Sequence, residues 1–350
     1  MTKRFGVLGL VVAAAAAFAS AASAQTKVVY AGGPGKFVKA LGRQGAGVNN
    51  FLVNRITIHV GDTVEWTGAS LSGGFHTVDI PKLHGSDLPL ILPTGSTVAG
   101  VNDAAGNPFW FDGNVPALGF NPQLFTPVGG TTYNGTKRID SGLPLGKPKN
   151  FKIKFTTVGN FKYFCDVHYG MGGTVVVKPK NAPIPTAKDD ATTLKKEESN
   201  YLAEAKRVAK TKPGAGQVSV GASGPGGLEV FAMFPSVLNI NAGTTVQFAM
   251  SRQTRETHTA TFGPAPYLSQ LANSFTGPAP APAAVYSSDP PGQITLSPTS
   301  HGNGFANTGV LDRDTGTPLP ALGAIKFTTP GTYTYECLIH PFMRGTIIVH

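Results

Sequence analysis

Charge is scarce in this 350-residue sequence, with only 14% of its residues Asp, Glu, Lys or Arg. The Lys and Arg residues form no concentrated run, so the formal net charge of +10 is a poor argument for nucleic acid. Cysteine occurs twice, which excludes a disulfide framework beyond a single bridge. Past the N-terminal two dozen residues, no stretch approaches the roughly 20 apolar residues needed to cross a bilayer, so stable membrane insertion is not expected. The sequence also contains no His-x-His pair.

Gly (44) and Pro (28) are abundant, and short apolar runs alternate with turn residues, as in all-β domains. β-branched and aromatic residues recur throughout, which argues against disorder. The beginning reads as an address. Lys3 and Arg4 precede an apolar run from Phe5 to Phe18, and Ala22-Ser23-Ala24 offers small residues for a signal peptidase. Cleavage before Gln25 is expected, with no cysteine there to carry a lipid, placing the chain in the periplasm or outside the cell. Losing Lys3 and Arg4 lowers the net charge from +10 to +8. A basic exported protein of this kind would be steered toward acidic redox partner proteins or an anionic surface.

The chain repeats itself. Lys154-Phe155-Thr156-Thr157-Val158-Gly159 recurs as Lys326-Phe327-Thr328-Thr329-Pro330-Gly331. At the same offset, Cys165, His168, Met171 and Gly173 match Cys337, His340, Met343 and Gly345. Further upstream, Gly61-Asp62-Thr63-Val64-Glu65-Trp66 matches Gly243-Thr244-Thr245-Val246-Gln247-Phe248, and each leads to a His-Thr pair at His76 and His258. The two registers differ only in loop length, the divergence expected of two copies of one fold. The expected division is a leader over 1–24, a first β-domain over 25–180, a linker over 181–216 and a second β-domain over 217–350. Leu194, Tyr201, Ala205 and Val208 fall near helical spacing and predict an amphipathic linker helix that covers a sheet or bridges the domains. The long stretch 81–150 reads as decorated loops, packed locally by Phe109, Trp110 and Phe111.

Strand alternation puts Phe161, Tyr163 and Cys165 on one face, and likewise Tyr333, Tyr335 and Cys337. Each C-x2-H-x2-M segment then forms a tight connection whose Cys, His and Met can turn toward one point. His76 or His258 arrives from an earlier strand. Two cysteines in an exported chain first suggest a disulfide, but bridging Cys165 to Cys337 would consume both thiols of a duplicated pattern. One thiolate, two imidazoles and a weak axial thioether suit copper in both oxidation states. Met is a poor zinc ligand, and structural zinc sites favour four Cys or His donors.

These residues resemble the cupredoxins. The second copy, Cys337-Leu338-Ile339-His340-Pro341-Phe342-Met343, is similar to the short ligand loop of amicyanin; the first, Cys165-Asp166-Val167-His168-Tyr169-Gly170-Met171, resembles a more general plastocyanin or amicyanin site. The resemblance covers roughly Val28–Pro179 and Gln217–His350. It implies two tandem Greek-key β-sandwiches of eight strands, each with a mononuclear type 1 copper. Carried over, His76, Cys165, His168 and Met171 form one site, and His258, Cys337, His340 and Met343 the other. It also implies electron transfer through the exposed edge of the second histidine. Thr77 and Thr259 depart from the family, which often has Asn after its first histidine.

Two-domain relatives of this kind include nitrite reductases and small laccases, so a copper oxidoreductase with an additional interface copper is the alternative reading. Oxidases supply that copper through His-x-His pairs, absent here, and only His59, His84, His301 and His350 remain. His59 reads as a solvated strand residue beside inward-facing Ile56, Ile58 and Val60. Copper storage or delivery is the third reading, disfavoured by the lack of Met or His tracts. The expectation is an electron carrier and not an enzyme; oligomeric state is not encoded in these patterns.

Overall fold

In the computed structural model, the described residues are 24–67, 76–80, 88, 90–143, 150–314, 317 and 319–350. The leader's apolar run and His84 lie outside them. Strand alternation appears directly in burial. Val64 and Trp66 face inward from Thr63–Thr67, as Val246, Phe248 and Met250 do from Thr245–Met250. Each such large side chain contributes roughly 1.5–3 kcal/mol relative to exposure.

The chain forms two β-sandwiches of the same topology. In the first, one sheet runs in the order Phe51–Leu52, Thr26–Ala31, Thr63–Thr67, Phe151–Phe155, Thr132–Tyr133. The facing sheet runs Ile139–Asp140, Asp79–Ile80, Gly159–Phe164, Gly172–Lys178, Arg55–His59. The second sandwich repeats both patterns. Gln217–Gly224, Thr245–Met250, Leu322–Phe327 and Thr295–Leu296 follow one another in one sheet. Ala306–Asn307, Thr261–Phe262, Gly331–Glu336, Arg344–Val349 and Val237–Ile240 make the other. Even the parallel pairs recur: Thr26–Ala31 with Thr63–Thr67 corresponds to Gln217–Gly224 with Thr245–Met250. The architecture is all-β, two tandem sandwiches joined by a helical linker, as expected.

The linker helix spans Ala187–Val208 and opens with a reciprocal cap between Thr186 and Asp189, which satisfies orphan amide donors at the first turn. Its Ala205 and Val208 are buried with Phe37, Leu41, Leu52, Ala222 and Leu228, residues drawn from both halves. Glu197 accepts a hydrogen bond from the Val53 amide, and the Tyr201 hydroxyl donates to the Gly226 carbonyl. The helix therefore both covers a sheet and bridges the halves.

The halves are further joined by backbone pairing. Ala46–Val48, from the first half, pairs antiparallel with Leu228–Phe234 at the edge of a second-half sheet. Phe109 and Phe111 also reach beyond their own segment. They pack with Val98, Val101 and Val115 of their own segment, but the same cluster extends to Leu268, Leu271, Phe305 and Leu338 of the second half, because the decorated loops lie across it. The Trp110 indole donates to the Ser287 carbonyl in the same contact.

Candidate metal centres

Each sandwich places a Cys, His and Met at one end through the same local geometry. Gly159–Phe164 and Gly172–Lys178 are antiparallel neighbours, with Tyr163 opposite Gly173; in the second half Tyr335 stands opposite Gly345. These glycines are obligatory. A Cβ on Gly173 would collide with the Tyr163 ring and the Asn54 carbonyl, and one on Gly345 with the Tyr335 ring. The intervening loop is closed by two backbone bonds. Cys165 N–H donates to Met171 O (3.0 Å) and Met171 N–H to His168 O (3.0 Å); the equivalents at Cys337, Met343 and His340 measure 3.0 and 2.8 Å.

The donor atoms converge. In the first half Cys165 Sγ lies 3.8 Å from His76 Nδ1 and 3.6 Å from His168 Nδ1, and the two nitrogens are 3.0 Å apart. In the second, Cys337 Sγ lies 3.7 Å from His258 Nδ1 and 3.8 Å from His340 Nδ1, with 3.2 Å between nitrogens. Met171 and Met343 are buried in the same core clusters as the cysteines. Bonds of about 2.0 Å to nitrogen and 2.3 Å to sulfur, spread in a plane, give S–N and N–N edges of about 3.7 and 3.5 Å. Both triangles fit a single metal ion. Both cysteines are free thiols, not joined to each other.

Burial sets the protonation states. It pushes the Cys165 and Cys337 thiols up to about 11, and His76 and His340 down to about 4. His168 and His258 are held well below the usual histidine value, again by burial first. Neutral imidazoles are ready to bind a cation, whereas each thiol must release a proton as it does so.

Thr77 and Thr259 tie each upstream histidine to its cysteine loop. The Thr77 amide donates to Cys165 Sγ (3.5 Å), and its hydroxyl accepts from the Asp166 amide (2.8 Å). Thr259 repeats this with Cys337 Sγ (3.4 Å) and the Leu338 amide (2.8 Å). The shared His-Thr dipeptide was the available signal for this tie between the upstream histidine and the cysteine loop.

The histidine edges depart from expectation. His168 and His340 side chains are only 8% and 18% exposed, and their Nε2 atoms each lie 3.7 Å from Glu256, one at either carboxylate oxygen. The reason is that the two halves meet at this end. Exposure passes instead to Tyr169 (50%) and Phe342 (68%), with the Phe231 ring tilted against His340 at 5.0 Å.

The remaining histidines are not brought together. His59 Nε2 contacts the Ala182 carbonyl at 2.8 Å, so it is half-buried against the linker and not a solvated strand residue. His301 sits between Asp103 and Asp289, and His350 contacts Asn239. Among the described residues, the other close group of metal-capable side chains is Asp79, Asp140 and Asp166 beside Cys165. Arg138 bonds Asp79 at 2.9 Å and Asp140 at 2.6 Å, which offsets part of the cluster's negative charge.

Two β-sandwiches of one topology, each closing a His-Cys-His triangle at one end, define a protein with two candidate metal centres. Among solved structures, the chain is similar to amicyanin from Paracoccus versutus, at 19% identity over 41% of this chain and 88% of that one, TM-score 0.22. It is likewise similar to oxidised plastocyanin from Dryopteris crassirhizoma, at 21% identity over 38% and 99%, TM-score 0.21. Values this low bear on neither chemistry nor partners. No protein-family model and no curated protein matches the chain.

Proposed function

We propose that this chain is an exported electron-transfer protein holding one type 1 copper in each half. The single observation that carries the reading is the duplicated triangle of one buried sulfur and two neutral imidazole nitrogens, with edges between 3.0 and 3.8 Å. Bound copper would supply a one-electron Cu(I)/Cu(II) couple at each position. The protein's part is to hold the donors still. Cys165 and Cys337 would give the thiolates, and His76, His168, His258 and His340 the imidazoles. Met171 and Met343, buried in the same clusters as the cysteines, would add the thioethers. The amides of Thr77 and Thr259 point at the sulfurs and disperse their negative charge. Among the described residues no helix is long and apolar enough to cross a membrane. Partners are read as acidic redox proteins meeting this basic chain through small, transient interfaces.

The test is to load the mature protein with Cu(II), count metal per chain, and record visible and EPR spectra. Two equivalents are expected, with intense thiolate-to-copper absorption and narrow hyperfine splitting. Cys165→Ser and Cys337→Ser should each remove one signal. A chain that binds no copper, or only copper with wide splitting, overturns the reading, and turnover of nitrite or oxygen would favour an oxidoreductase.

A further inference from the structure

The two donor triangles face each other across one side chain. Their Nδ1 atoms point at the cysteine sulfurs, so a metal held there leaves the proton on each Nε2. His168 Nε2 lies 3.7 Å from Glu256 Oε1 and His340 Nε2 lies 3.7 Å from Glu256 Oε2. One carboxylate thus stands between the outward N–H groups of two sites in different halves. Adding the width of a carboxylate puts those nitrogens within about 10 Å of each other.

Glu256 is held there by both halves. Asn49, next to the first-half strand that enters the second-half sheet, donates to Glu256 Oε1 at 2.6 Å. The neighbouring Arg255 guanidinium donates to the Asn49 carbonyl at 2.6 Å. Glu229 fixes the loop from below, accepting from the Arg255 amide (2.7 Å) and the Thr254 hydroxyl (2.9 Å). A buried carboxylate is costly unless donors face it; Asn49 supplies a hydrogen bond, and the two imidazole nitrogens stand 3.7 Å away, one at each oxygen.

We propose that Glu256 is the junction through which the two metal sites exchange an electron within one molecule. This rests on the copper reading above. The step is a single electron, oxidising the site in one half and reducing the site in the other; no proton moves and no further reactant is consumed once an external reductant has delivered the electron. Glu256 acts through His168 and His340 and is a positioning residue. Its two oxygens each stand 3.7 Å from one of the two imidazole nitrogens, so a single carboxylate faces both N–H groups. Glutamine of the same shape has one acceptor and one donor, so it must leave one imidazole facing an N–H group.

The experiment uses the full-length mature protein with both sites loaded and oxidised. A flash-generated one-electron reductant is applied in sub-stoichiometric amount, and the two visible bands, assigned from the Cys165→Ser and Cys337→Ser spectra, are followed in time. Redistribution between the bands should be first order, with a rate independent of protein concentration. Glu256→Gln should retain two copper equivalents and both bands yet slow redistribution at least tenfold, while reduction by the external radical keeps its rate. Failure to bind blue copper would sink the copper reading itself. With both sites loaded, redistribution that scales with protein concentration in the unsubstituted protein overturns the junction whatever the variant does, and so does an unchanged rate in Glu256→Gln.

Discussion

The two metal-binding ends share a backbone but not an electrostatic setting. Beside Cys165 stand Asp79, Asp140 and Asp166; the corresponding positions beside Cys337 are Thr261, Asn307 and Leu338. The equivalence follows from register, since Asp79 pairs with Phe164 and Asp140 as Thr261 pairs with Glu336 and Asn307. Burial first, then the charges of Asp166 and Asp79, push Asp140 up to about 7 even with Arg138 beside it, and burial raises Asp166. The second site has a neutral hydrogen-bonded chain instead, in which Thr259, Thr261 and Asn307 contact one another at 2.8–2.9 Å. Duplication preserved the ligand geometry while the field around it diverged. Negative charge favours the oxidised, more positive form of a nearby metal, so the first half should hold the lower potential.

The largest expected effects test how alike the backbones are. Gly173→Ala should destabilise the first half by about 3 kcal/mol or more, because the added carbon meets the Asn54 carbonyl as well as the Tyr163 ring. Gly345→Ala should destabilise the second half by a similar amount, since the added carbon meets the Tyr335 ring in the same register. Urea unfolding of both variants measures the two losses; an alanine tolerated at either position would break the likeness. Next comes the field. Asp79→Asn should raise the potential of the first site by on the order of 50 mV, about a tenfold change in electron partition, and leave the second unmoved. Spectroelectrochemical titration of the two bands decides this.

Smaller differences lie in the tyrosines. The Tyr163 hydroxyl donates to the Asn54 carbonyl at 3.1 Å, whereas the buried Tyr335 hydroxyl has no partner among the described residues. Tyr163→Phe should therefore lose about 1 kcal/mol, and Tyr335→Phe should be neutral or gain up to about 1 kcal/mol. Matching losses in thermal melts would contradict the pairing. The smallest effect concerns the contact between the halves. Hydrogen bonding to Asp289, then to Asp103, raises the His301 pKa, and Asp103 belongs to the loops of the first half. A folded-state value above the unfolded one means the contribution is complete below about pH 6.5 and is lost as pH rises through the higher folded value. Unfolding midpoints of the parent and His301→Gln, compared at about pH 5.5 and 8.5, should differ more at the lower pH, by under about 1 kcal/mol.

Much of each site was legible before any coordinates. The spacing C-x2-H-x2-M, repeated at a constant offset and followed by a glycine, identified six of the eight proposed ligands, and the His-Thr pairs identified the other two. Strand alternation around Tyr163 and Tyr335 gave the correct inward faces, because period-two burial is a local property of the chain. The threonine tie was visible as a repeated dipeptide but its role was not, since the accepting hydroxyl and the donating amide are far apart in sequence. For Phe109 and Phe111 only the local half of their cluster is legible, for the same reason. Nothing in their own segment says that Leu268 and Phe305 are their neighbours.

The sequence alone determined the duplication, the all-β character and the two donor sets, all of which are written as spacing and periodicity within one copy of the fold. Tertiary structure alone decided that the two sites point at each other, that Ala46–Val48 crosses into the other sheet, and that Glu256 lies between His168 and His340. Docking one half on the other depends on surface shape and on a few polar contacts between distant segments. Such contacts leave no period in the chain, so they emerge only when the folded halves meet.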